Sequence, residues 1–172
     1  HMTDVRPGKT WDEETRFSPI ISRRQLDRID AIVKRATDAG AEAVLGGRAM
    51  DREGYFYEPT LLRGVEPSSP ALTEEIFGPV LTMQTFTEEE EAVTLADHPT
   101  YGLAAGLYTR DVSRALRMVK TLPTGTVWVN RYGRSLDHIL PTGGYKQSGI
   151  GKDLGREAYL ANRKSKSVLM DL

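Results

Sequence analysis

A chain of 172 residues with 39% hydrophobic and 27% charged side chains, 23 basic against 24 acidic, has the make-up of an ordinary globular domain. A domain of this size buries roughly two-thirds of the surface its unfolded chain exposes, so one self-sufficient core is expected and two are not. The charge balance excludes a bulk attraction to nucleic acid or a membrane surface, no apolar run approaches the ~18–20 residues of a membrane span, no signal-peptide order is present, and the absence of cysteine excludes a disulfide, a thiolate metal site or a cysteine nucleophile within these residues.

His1-Met2 reads as a tag remnant, and residues 1–18, rich in Pro, Gly, Thr and charge without an apolar period, read as a loop or partly disordered arm. Ser22-Arg-Arg-Gln25 is a capping-box pattern: the hydroxyl and the amide can each satisfy an orphan backbone donor at a helix start. Leu26, Ile29, Val33 and Ala36 follow at helical spacing, and Gly40 supplies the left-handed stop.

A short apolar run from Ala41 to Leu45, then Tyr55-Phe56-Tyr57 and the stretch from Thr60 to Val65, carry β-prone residues between turn formers. Residues 67–70 read as a loop, residues 80–86 as a strand, and Thr87-Glu-Glu-Glu90 as a second capping box opening a helix to about Asp97. Residues 103–109 form a nearly continuous apolar run, as in a strand covered on both faces. Asp111 caps a helix whose apolar side is Val112, Ala115, Leu116 and Val119, and residues 126–129 read as a further buried strand.

The β-α-β-α-β order from 80 to 129 predicts an α/β fold: a three-layer, mostly parallel sheet with helices on both faces. From Asn130 to Gly151 regularity stops in a glycine-rich stretch, and an irregular segment of that length inside a domain is more often functional than idle. A short helix over about 153–161 and a terminal strand over about 166–172 complete the order.

Four blocks stand in sequence: Glu74-Glu75-Ile76-Phe77-Gly78-Pro79-Val80, Tyr101-Gly102-Leu103-Ala104-Ala105-Gly106-Leu107, Gly125-Thr126-Val127-Trp128-Val129-Asn130, and Gly143-Gly144-Tyr145-Lys146-Gln147-Ser148-Gly149. Together they resemble the NAD(P)-dependent aldehyde dehydrogenase superfamily, over nearly the whole chain from about Trp11.

The resemblance implies oxidation of an aldehyde to a carboxylic acid through a cysteine thiohemiacetal and thioester. It also implies a C-terminal piece of such an enzyme, because the family's nucleophilic cysteine, general-base glutamate and Rossmann domain would precede residue 1. No catalytic residue is then expected in this chain, which alone would be inactive and would hold neither NAD nor NADP tightly. The organisation implied is an arm over 1–18, a catalytic-domain portion over 19–162 and an oligomerisation strand over 163–172. The competing expectation is a stand-alone, non-catalytic binding or assembly module with the same fold.

By resemblance, Glu75 accepts hydrogen bonds from the nicotinamide ribose hydroxyls of NAD or NADP, and Phe77 packs near the nicotinamide ring. Without the resemblance they read as a solvated charge and a core aromatic. Asn130, Arg131, Arg134 and Thr142 would line the aldehyde entrance. Their polarity, with Thr142 where many relatives carry Phe, suggests a polar or anionic aldehyde met by Arg131 or Arg134.

His138 has no second ligand at metal spacing, so no metal site is expected. The strand over 165–172 is expected to pair with a neighbouring subunit of a homo-oligomer. The implied location is the cytoplasm, with neither nucleic acid nor membrane as partner.

Overall fold

The computed structural model of the chain describes residues 2–133 and 138–171. The chain folds as two compact units, the first ending at Thr85 and the second beginning at Phe86. The clustered hydrophobic core lies entirely in the first unit.

The first unit is organised by α1, Arg23–Asp38. The predicted cap is present: Ser22 Oγ accepts from the Gln25 N–H at 3.3 Å. The buried stripe comprises Leu26, Ile29, Ile32, Val33 and Ala36. Gly40, at φ 103°, closes the helix, with its N–H donating to the Thr37 carbonyl while Ala41 N–H donates to that of Ala36. This pair is the Schellman arrangement that a C-terminal glycine favours.

Strand β1, Glu42–Leu45, pairs antiparallel with β2, Thr60–Arg63, and β2 pairs parallel with β3, Val80–Met83. Thr60 is fully buried because its hydroxyl is satisfied twice, donating to the Glu58 carbonyl at 2.7 Å and accepting from Gly47 N–H at 2.9 Å. The loop expected over 67–70 contains the start of a one-turn helix, α2, Pro70–Thr73, capped by Ser69 Oγ. Serine before proline at the first helical position is a local signal for it. The arm before α1 is loop apart from a 3-10 turn at Met2–Asp4, and it closes on itself through a bridge between Pro7 and Phe17.

In the second unit, α3 spans Glu89–Ala96. Its cap differs from the expected Thr87–Glu90 box. The Glu91 carboxylate accepts from Thr87 N–H at 3.0 Å and from the Thr87 hydroxyl at 3.3 Å, one residue further on.

The apolar run after Thr100 divides into β4, Tyr101–Gly102, and β5, Ala104–Leu107. Helix α4, Val112–Thr121, is capped by Asp111, which accepts from Ser113 and Arg114 N–H groups at 2.8 and 3.1 Å. It leads into β6, Thr126–Val129, parallel to β5, so the predicted β-α-β crossover is present. Strand β7, Tyr145–Lys146, pairs antiparallel with β4, and α5 spans Gly155–Ala161.

The α/β class is as expected, with β2–β3 and β5–β6 paired parallel and β1–β2 and β4–β7 paired antiparallel. The expectation of strands covered on both faces is not met within the unit. Residues of β5 alternate between exposed and half-buried and β6 is half-buried throughout, since burial on both faces requires layers that the unit does not supply. Residues 163–171 form no helix or strand, as a strand exists only in the ladder it makes with a partner.

Candidate functional site

Residues 74–78 leave α2 and turn into β3, and three of their backbone carbonyls are taken by side chains of α1. Gln25 Nε2 donates to the Ile76 carbonyl at 2.9 Å and to that of Phe77 at 3.3 Å. Arg28 Nη1 donates to the carbonyls of Glu75 and Ile76 at 2.9 and 3.0 Å, while its Nη2 donates to Glu74 Oε2 at 3.1 Å. Arg35 adds a longer ion pair to the other Glu74 oxygen, at 3.9 Å. Gln25 therefore caps with its backbone N–H, while its side chain, expected to complete the capping box, serves the loop instead.

Anchoring fixes which side chains face outward. Ile76 is buried, whereas Phe77 is 75% exposed and holds a positive φ of 56°. A left-handed phenylalanine is an uncommon conformation that persists only where surrounding contacts over-determine it. The two neighbouring glutamates separate in role: Glu74 is occupied by two arginines, and the exposed Glu75 carboxylate makes no hydrogen bond or ion pair among the described residues. An exposed carboxylate with two unused acceptor oxygens beside an exposed rigid aromatic can take a ligand carrying vicinal hydroxyls and a flat ring.

The second unit holds a cavity of about 360 Å³ against β6, bordered by Arg131, His138, Leu140, Pro141, Thr142 and Leu154. Thr142 is fixed by reciprocal backbone hydrogen bonds with Asp153, at 2.7 and 2.6 Å, and its buried hydroxyl oxygen has no partner among the described residues. Such an atom in a cavity wall is a position for a polar ligand group.

Asn130 has a different duty. Its Oδ1 accepts from Thr109 N–H at 2.8 Å and its Nδ2 donates to the Thr109 carbonyl at 2.9 Å, so both ends of the amide tie the strand ends together. Arg131 borders the cavity, whereas Arg134 lies outside the described residues.

Trp128 and Tyr132, which spacing did not single out, pack edge to face at 5.0 Å between centroids along an adjoining cavity of about 440 Å³. The glycine stretch closes against these walls by proximity. A Cβ on Gly125 would lie 1.6 Å from the Gly143 carbonyl oxygen, and one on Gly144 would lie 2.3 Å from Ser148 Cβ. Lys146 ties the stretch to the end of α3 by pairing with the Asp97 carboxylate and donating to the His98 carbonyl at 2.6 Å.

Electrostatically shifted groups mark the scaffold. Burial, reinforced by Asp30, pushes the Tyr57 hydroxyl well above the ordinary tyrosine range. Hydrogen bonds from Arg117 and then Arg114 hold Glu89 below its ordinary value. Among the described residues no group of three or more His, Asp or Glu could hold a metal ion, and no helix is long and apolar enough to cross a membrane.

Residues 1–168 match the profile of the aldehyde dehydrogenase family. An aldehyde dehydrogenase of Aspergillus niger is 42% identical over 151 residues, 88% of this chain and 30% of its own length. A succinate-semialdehyde dehydrogenase of Paenarthrobacter nicotinovorans is 44% identical over 156 residues, 91% of this chain and 34% of its own length. Among solved structures, a betaine aldehyde dehydrogenase of Staphylococcus aureus in complex with NAD+ superposes with a TM-score of 0.86 at 36% identity, covering 93% of this chain and 32% of that one. The chain thus spans about a third of the length of the relatives it matches.

Proposed function

From the premise that this chain belongs to the aldehyde dehydrogenase family, we propose that it works as part of a longer NAD(P)-dependent enzyme that oxidises an aldehyde to a carboxylic acid. The observation that carries this reading is the outward presentation of the Glu75 and Phe77 side chains on a loop whose Glu75, Ile76 and Phe77 carbonyls are held by side chains of α1.

The residues present fit the cofactor's nicotinamide end. Glu75 offers two acceptor oxygens for ribose hydroxyls, and Phe77 offers an apolar face that limits where the ring can lie and keeps water from it. When bound, the nicotinamide supplies the electron-pair acceptor of the oxidation. The described residues contribute positioning and exclusion of water. The nucleophilic cysteine and the general base come from outside this sequence, which contains no cysteine.

On the substrate side, the reading assigns the cavity of Arg131 and Thr142 to the entrance for the aldehyde, with Arg134 in the same connection. A guanidinium and an unpartnered buried hydroxyl favour a polar or anionic aldehyde over a plain hydrocarbon one. Asn130 supports the wall through its clamp on Thr109. The domain assignment follows: residues 19–162 as catalytic-domain portion and residues 163–172 as a strand that pairs with another subunit of a homo-oligomer. The same reading carries a cytoplasmic location, which cell fractionation tests.

Expression of the 172 residues alone and of the full-length polypeptide, each assayed with NAD and NADP against anionic and neutral aldehydes, tests the proposal. Turnover is expected only from the longer protein, with anionic aldehydes preferred and that preference lost in Arg131→Ala. Turnover by the short chain, or none by the long one, overturns it.

A further inference from the structure

Helix α1 touches residues 74–78 at every step. Gln25 and Arg28, both half-buried, stand one turn apart on the same face and between them occupy the carbonyls of Glu75, Ile76 and Phe77. Arg28 and Arg35 hold the Glu74 carboxylate. Between them, Ile29 fills the space above Gly78, where an added Cβ would lie 2.5 Å from Ile29 Cδ1. Two donor groups that share three consecutive carbonyls, an ion pair before them and a steric stop after them determine the path of five residues.

Without such restraint the segment has reason to relax. A left-handed backbone at a phenylalanine is strained and persists only where its surroundings impose it. Relaxation would swing Phe77, and with it the direction of the Glu75 carboxylate one residue earlier.

We infer that Gln25 and Arg28 are positioning residues for the nicotinamide end of the cofactor: they hold the 74–78 backbone in the conformation that presents Glu75 and Phe77. The inference rests on the proposed cofactor role of those two residues. It assigns to a half-buried helix face a duty that the capping pattern of Gln25 and the charge of Arg28 conceal. Neither residue belongs to the stripe that docks α1, formed by Leu26, Ile29, Ile32, Val33 and Ala36. Loop conformation and helix docking are therefore separable by substitution.

Gln25→Glu is nearly isosteric but faces two carbonyl oxygens with an acceptor in place of a donor. Arg28→Met keeps the apolar stem and removes the fork. Each is made in the 172-residue chain, where backbone amide relaxation at Glu75 and Phe77 is read by NMR and thermal melting reports the fold. The expected result is a fall in order parameter from about 0.85 towards 0.6 or lower at these two amides, with order in the centre of α1 retained.

The same variants in the full-length enzyme are expected to lower kcat by on the order of 100-fold, as for an angstrom-scale misplacement of the reacting group. NADH affinity should stay within about threefold, since most of the binding contacts lie on the adenosine and pyrophosphate side. Arg28→Lys, which retains a donor, should recover part of the loss. A purely structural role would lower the active fraction and leave kcat per titrated site unchanged. Unaltered order at Glu75 and Phe77, or unaltered kcat per site despite a loosened loop, overturns the inference. A loosened loop in a full-length protein that oxidises no aldehyde leaves the anchoring intact and refutes the function reading instead.

Discussion

Ile29 Cδ1 occupies the space that a side chain at Gly78 would need, 2.5 Å from where its Cβ would stand. Ile29 is fully buried in the core of the first unit, so it cannot retreat without opening a cavity. Glycine at position 78 is thus demanded by a helix that lies some fifty residues earlier in the chain.

Gly78→Ala should therefore destabilise the first unit by about 1–3 kcal/mol, the usual cost of overpacking a tight contact. Denaturant unfolding monitored by circular dichroism reads it directly. The double variant with Ile29→Val, which removes the clashing methyl, should recover part of the loss; strict additivity of the two changes would show that the contact is not the cause.

Tyr57 separates packing from polarity at one site. Its ring is fully buried and its hydroxyl donates to Asp30 Oδ1 at 3.3 Å. Tyr57→Phe should cost about 0.5–1.5 kcal/mol for the lost hydrogen bond, and Tyr57→Ala about 3–5 kcal/mol for the cavity. Because burial raises the folded-state pKa above the ordinary 10.0, the contribution of Tyr57 is fully present below pH 10 and is lost as pH rises beyond it. Unfolding free energies measured between pH 8 and pH 11 should fall at the alkaline end, and fall less in Tyr57→Phe; equal slopes would refute the assignment.

Three carboxylates in the second unit act in the opposite direction. Glu89, Glu91 and Asp111 are held below their ordinary values by Arg117 with Arg114, by Thr87, and by the N–H groups of Arg114 and Ser113 respectively. Their support is present above the ordinary carboxylate range and disappears as pH falls through the lowered folded-state values, below about 4.5 for the glutamates and 3.8 for Asp111. Acid unfolding followed on the second unit should be less steep in Glu89→Gln than in the unsubstituted chain. Glu89 is half-buried and Glu91 and Asp111 are exposed, so the support that each lends above this range is small.

Thr142 distinguishes a structural hydroxyl from a functional one. Its oxygen is buried without a partner among the described residues, so Thr142→Val should leave stability unchanged or raise it by up to about 1 kcal/mol. In the full-length enzyme the same change should reduce the preference for polar aldehydes. Marked destabilisation would mean that the hydroxyl is satisfied within the fold. Gly125→Ala, by contrast, drives a Cβ into the Gly143 carbonyl and should abolish the cavity and most of the second unit's cooperative unfolding.

Elements whose determinants lie within a few residues were legible from sequence. Ser22 and Gly40 bracket α1, and Asp111 opens α4, because cap donors and acceptors sit two to five residues apart. The motif at residues 74–80 was legible by resemblance, and it marked Glu75 and Phe77. What spacing could not reveal was the partner of that motif: Gln25 looked like half of a capping box, and its amide instead serves a carbonyl 51 residues away. Asn130 shows the same limit of spacing, since its amide closes on Thr109, 21 residues earlier.

The sequence by itself determined the α/β order, the bounds of α1 and the start of α4, and the family, because periodicity, caps and short motifs are local properties of a chain. It also excluded a cysteine nucleophile within these residues. Only the tertiary structure decided which glutamate of the Glu74-Glu75 pair is anchored and which is free. It likewise decided why a phenylalanine rests at φ 56° and why Gly78 and Gly125 cannot carry a side chain. Those outcomes depend on donors, charges and volumes brought together from distant positions, and such proximity is created by folding and has no signature in local spacing.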